Sequence, residues 1–216
     1  MTDYHEKYLK YKSKYLSICG NEHNKSKILN GKGNKIITHG SLKLNDQKIN
    51  GLESSGSTQV KNLVVETNLN VWGSLKFENL KVHKNSKISG SVSGSNGTFK
   101  NLDVSGSLNI ENSNINTLNV SGSFMGENVK ILDKAEITGS INCIGCTIDK
   151  IKVTSNAIFK NSKIKELTID NTSNSNKKIE IIQTNIEKII VIGNSLSIYS
   201  DKSKVNKIVN GLLKSL

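Results

Sequence analysis

The apolar residues of this chain come in short alternating bursts rather than in long stripes. In VSGSLNIENSNINTLNVSGSF, residues 104–124, the pairs Leu108/Ile110 and Leu118/Val120 each skip one polar residue, and Ile115 stands alone among polar neighbours. A period of two marks a short strand with one face turned inward. The lone Ile115 predicts a third, very short strand or corner. The layout recurs with Leu75, Phe77, Leu80 and Val82 after Gly73, and with Ile141, Cys143, Ile148, Ile151 and Val153 after Gly139.

A Gly-Ser pair punctuates these bursts. Its glycines stand at Gly40, Gly56, Gly73, Gly90, Gly106, Gly122 and Gly139, at intervals of 16, 17, 17, 16, 16 and 17 residues, and the register continues through Ser155 and Asn171 to Gly193 after an insertion in NTSNSNKK. A fixed period of this length specifies a repeat architecture and outranks local propensity. The predicted fold is all-β: a single-stranded parallel β-helix, or β-solenoid, over residues 40–200, with three-sided coils of 16–17 residues. Roughly ten or eleven coils stacked at about 4.8 Å make a rod on the order of 50 Å long. Gly suits a corner that needs positive φ or a close backbone approach, and Asn tolerates the left-handed region, so IENSNIN reads as corner chemistry. The chain has no Pro, as a fully stacked ladder requires. Heavy β-branching, recurrent Gly-Ser and scarce Ala speak against helices.

The ends read differently from the body. Residues 1–20 place Tyr4, Tyr8, Tyr11 and Tyr15 on one helical stripe among Lys7, Lys10, Lys12 and Lys14, a short basic helix or tail. It docks on the first coil, detaches to bind a partner, a membrane surface or nucleic acid, or stays disordered. Residues 21–39 read as a linker. At the other end, residues 201–216 carry Val205, Ile208, Val209, Leu212, Leu213 and Leu216 at helical spacing, which predicts a C-terminal cap or one last irregular coil.

Composition narrows the class. Hydrophobic residues make up 35% and aromatics 5%, too few for a wide core but enough for a narrow one lined by Ile, Leu and Val. The net charge is +12, and all 30 basic residues are Lys. Lys offers phosphates a point charge without the bidentate fork of Arg, so the expected polyanion binding is weak and non-specific, through the N-terminal Lys/Tyr segment. No run of apolar residues is long enough to span a bilayer. The opening MTDYHEKYLK puts polar residues where a signal peptide puts its apolar segment, so classical secretion is not expected. The three cysteines then read as free thiols in a reducing compartment.

Candidate chemistry is sparse. Cys143 and Cys146 form a C-x-x-C, which is half a zinc site; it reads as structural thiols, a redox pair, or a metal shared between chains, and Cys19 is unpaired. His83 is the one histidine within the solenoid. Acyltransferases on left-handed solenoids use a histidine between subunits, but their coils repeat in sixes, which 16 or 17 does not fit. Glu111 and Glu127 lie one coil apart in matching register, and the other acids are scattered. The chain is accordingly expected to be non-enzymatic, with no catalytic, cofactor-binding or metal-binding residues and no cofactor.

Two resemblances add to this reading. KYLKYKSKYLSI, residues 7–18, resembles the Lys-Tyr-rich opening of many proteins of giant, mimivirus-like DNA viruses; this implies a viral protein acting in the virion or the infected host cytoplasm. If the protein is not viral, the expected location is the cytoplasm. The body, residues 40–200, is similar in texture to bactofilins, polymer-forming β-helical cytoskeletal proteins, which implies end-to-end self-association. The expected function is a structural or assembly role as a rigid rod that self-associates through its ends. The alternative is a binding or adhesion module that presents a flat face to a glycan or protein partner.

Overall fold

The computed structural model of the chain describes residues 35–173, 177–194 and 196–215. Every element in them is a strand, and all strand pairings are parallel within one continuous sheet. The sheet is wound into a solenoid of about ten turns. Residues 42–45 and 47–49 begin the first and second of its three sides, Lys35–Thr38 followed by Gly51–Ser54 begin the third, and each side continues coil by coil. On the first side Leu42 pairs with Thr58 and Thr58 with Leu75; on the second, Ile49 pairs with Val65 and Val65 with Val82; on the third, Leu52 pairs with Leu69.

The inward register follows the alternation in the sequence. In the coil after Gly106, Leu108 and Ile110 face inward from the first side, Ile115 from the second, and Leu118 and Val120 from the third, all buried. Each stacks on its counterparts above and below: Leu118 lies between Leu102 and Ala135, and Ile115 between Phe99 and Ile131. Burying each such side chain contributes roughly 1.5–3 kcal/mol before the entropy of ordering is subtracted. A narrow core works because its columns are continuous along the axis.

Two different corners make the turns. Between the first and second sides one residue per coil adopts positive φ: Asp46, Asn62, Asn79, Asn96, Asn112, Asn128, Gly145, Asn161, Gln183 and Lys202. Six of the ten are Asn, whose short polar side chain tolerates this region. Their amides also form a ladder, with Asn79 Nδ2 donating to Asn62 Oδ1 at 2.7 Å and Asn62 Nδ2 to Asp46 Oδ1 at 2.6 Å.

The Gly-Ser corner, between the third and first sides, has another cause. Among its regularly spaced glycines from Gly40 to Gly139 only Gly40 has positive φ, and the others are there for close approach. A Cβ on Gly106 would lie 2.6 Å from the Gly90 carbonyl oxygen, and one on Gly122 would lie 2.5 Å from that of Gly106. No side chain fits between coils stacked at that distance.

Local volume is balanced between adjacent coils. Phe77 and Phe99 meet edge to face with ring centroids 5.4 Å apart. Glycines at 94 and 97 make the room: a Cβ on Gly97 would lie 2.5 Å from the Phe99 ring.

The solenoid begins earlier than expected, and at its other end the described residues form a last coil instead of a helical cap. Part of the expected 21–39 linker is strand Lys35–Thr38, paired with Gly51–Ser54, because Ile36 is buried over Leu52 and closes the first coil. The helical reading of the C-terminus also needs correction: Lys204–Val209 and Gly211–Ser215 are strands of a further coil. Val205 lies on the second side and Ile208 on the third, with a corner between them. Three-residue spacing therefore arises without a helix. The insertion lengthens one coil, so that Ala157 pairs with Ile179, 22 residues on. The Tyr/Lys segment of residues 1–20, Cys19 and the remainder of the linker lie outside the described residues.

Candidate functional site

The outward rows of the three sides carry whatever chemistry the rod offers, and Cys143 and Cys146 lie beneath them. Cys143 faces the core from strand Ile141–Ile144, and Cys146 follows the left-handed Gly145 at the corner. Both thiols are free and buried. Cys146 stands in a column held in other coils by Ser113, Ser162, Thr184 and Ser203. Each of those hydroxyls donates to the carbonyl two residues earlier, as Ser113 does to Glu111 and Ser162 to Lys160, both at 2.8 Å. Each also accepts a backbone N–H from the coil before it; Ser162, for instance, accepts that of Cys146 at 3.1 Å. The Cys146 thiol points in the same way, 3.8 Å from the Ile144 carbonyl and 3.5 Å from that of Gly126.

Burial pushes the Cys143 thiol well up from its ordinary value, which keeps it protonated and poorly nucleophilic. These positions predict opposite responses to the same change. Cys146→Ser is expected to change stability by less than about 1 kcal/mol, since a hydroxyl suits that column, whereas Cys143→Ser, burying a hydroxyl among apolar neighbours, should cost about 1–3 kcal/mol. Urea unfolding followed by circular dichroism separates them. Equal losses would mean that the column does not explain Cys146.

His83 and Glu66 meet at the surface where the second side turns into the third, with His83 Nδ1 3.8 Å from Glu66 Oε2. Lys48 Nζ lies 2.8 Å from the same carboxylate. The hydrogen bond from Lys48 holds Glu66 below its usual range against a desolvation that raises it, and the charges of Lys48, His83 and Lys81 lower it further. The group is a solvated carboxylate among cations, with no nucleophile beside His83 among these contacts. Glu111 and Glu127 are paired neighbours on the first side, both exposed, along a shallow depression that includes Lys76, Asn109 and Met125. Among the described residues no three His, Cys, Asp or Glu side chains gather as metal ligands, and no helix is long and apolar enough to cross a membrane.

One outward residue departs from the repeat. Trp72, the only Trp in the chain, is 60% exposed at the Gly-Ser corner, where the coils on either side carry Ser55 and Ser89. A shallow depression beside it is lined by Asn70, Lys87, Ser89, Asp103 and Ser105. The signal was present as WGS in place of SGS.

Fold and surface together define a three-sided parallel β-solenoid with mostly polar outward rows. No family model, curated protein or solved structure matches the chain.

Proposed function

We propose that the protein is a non-enzymatic structural rod that associates through its ends. The observation that carries this reading is the continuity of the ladders. Parallel ladders on all three sides run the length of the described residues, so that bending requires many backbone hydrogen bonds to distort together. Its outward strand positions are dominated by Ser, Asn, Thr, Lys and Glu, a surface that suits a spacer.

The end coils support self-association. Among the described residues, Lys35–Thr38 pairs only with Gly51–Ser54, and Gly211–Ser215 only with Leu196–Asp201. Among the described residues each therefore has one edge row of N–H and C=O groups with no strand beside it, the template for adding another strand. The similarity in texture to bactofilins and the Lys/Tyr segment, a weak polyanion contact, belong to the same proposal.

Negative-stain electron microscopy of the full-length protein across a concentration series tests it. The expected images are filaments of uniform narrow width that lengthen with concentration from rods on the order of 50 Å. Discrete short rods at every concentration would overturn end association, and round or irregular particles would overturn the rod itself.

A further inference from the structure

We infer that the surface around Trp72 is a binding subsite for a neutral pyranose oligosaccharide. Trp72 exposes most of a large apolar ring on an otherwise polar corner, and covering that ring is the strongest single apolar gain this surface offers a ligand. Around it stand an amide, an amine, a carboxylate and two hydroxyls, from Asn70, Lys87, Asp103, Ser89 and Ser105. The neighbouring apolar residues Val71 and Ile88 are 1% and 2% exposed and belong to the core. A protein partner's aromatic anchor sits at the centre of an interface whose buried core is apolar over several residues. One aromatic disc ringed by hydrogen-bonding groups matches instead the amphipathic shape of a pyranose, whose C–H face packs on the ring while its hydroxyls reach donors and acceptors at the edge.

Charge selects the class of sugar. In the outward row of the third side Asn70 pairs with Lys87 and Lys87 with Asp103, so the two opposite charges sit one coil apart. In the coil before, Glu53 is paired with Lys35 at 2.8 Å. The patch carries no net charge, which favours neutral glycans over sulfated or uronic ones. The side chains around the ring project from or beside paired strands, so little ordering is needed on binding.

Because Trp72 is the only Trp, its emission reports directly on the site. Full-length protein is titrated with cellohexaose and with chitohexaose. The expected result is a saturable change in emission with a Kd of roughly 1 mM or tighter for at least one of them. Asn70→Ala and Asp103→Ala leave the reporter in place and should each weaken binding about fivefold. Trp72→Ala should remove the calorimetric heat while far-UV circular dichroism and melting stay at parent values. No saturable change with either oligosaccharide, parent-like binding by both Asn70→Ala and Asp103→Ala, or stronger binding of a heparin-derived hexasaccharide would each overturn the inference. All three readouts are independent of filament formation.

Discussion

Leu118→Asp is expected to abolish the soluble rod. Leu118 is fully buried in the fifth or so of about ten coils, stacked between the apolar side chains of Leu102 and Ala135. Losing the leucine alone removes about 2–5 kcal/mol. Leaving an uncompensated carboxylate in the core adds several more, against a total of roughly 5–15 kcal/mol for a domain. Each coil rests only on its neighbours, so a break at mid-rod leaves two shorter stacks with new open edges. The control is one residue away. Asn119 points outward between Asp103 and Glu136, so Asn119→Lys adds a charge where two carboxylates receive it and should express and melt like the parent. Soluble yield and the circular dichroism melt compare the two. If Leu118→Asp melts like the parent, the inward register of the third side is wrong.

What made this register legible was the alternation itself. Leu108, Ile110, Ile115, Leu118 and Val120 face inward as their spacing implies, because a period of two leaves no other side for them. The turns were legible as positions but not as mechanisms. Gly-Ser and Asn both read as corner residues, yet one corner requires the left-handed backbone of Asn112 and the other the missing Cβ of Gly106. That difference depends on the separation between coils, which no single coil encodes. The same holds for Gly94 and Gly97, whose reason lies in the rings of Phe77 and Phe99. At the C-terminus, Val205 and Ile208 admitted a helix because three-residue spacing is shared by a helix turn and by two strands across a corner.

The candidate surface was less legible than the fold for a related reason. Repeat detection rewards what recurs, and a ligand site on a repetitive rod is a departure from recurrence. Trp72 stands at a position that neighbouring coils give to Ser, and the depression beside it draws on residues from three coils, Asn70, Lys87 and Asp103. Their sequence separations of 17 and 16 residues bring them together only once the register is known. Cys146 shows the converse. It stood out as half of a metal motif, and the register places it in a column of hydroxyls with the same structural task.

Gly106→Ala should destabilise the rod more than any exposed substitution, although it adds one methyl group. The added Cβ would sit 2.6 Å from the Gly90 oxygen and 2.7 Å from its carbonyl carbon, and these are backbone atoms that cannot rotate away. Relief requires the two coils to separate at this corner, lengthening ladder bonds such as Ser105 N–H to Ile88 O at 2.9 Å and Val92 N–H to Ser107 O at 2.8 Å. Overpacking of this kind costs typically 1–3 kcal/mol, and a rigid obstacle argues for the upper end, about 3 kcal/mol. At ~2–4 °C per kcal/mol for a chain of this size, the melting midpoint should fall by roughly 6–12 °C. Ser107→Ala, at the exposed neighbouring position, should stay within about 0.5 kcal/mol of the parent. Hydrogen exchange should localise the damage, with amides on both sides of residue 106 losing protection while those near Ile164 and Ile186 keep theirs, because coupling in a solenoid decays from coil to coil. A parent-like melt for Gly106→Ala would mean that the coils are spaced more widely at this corner than the Gly90 contact requires, and the close-approach account of the glycine column would fail with it.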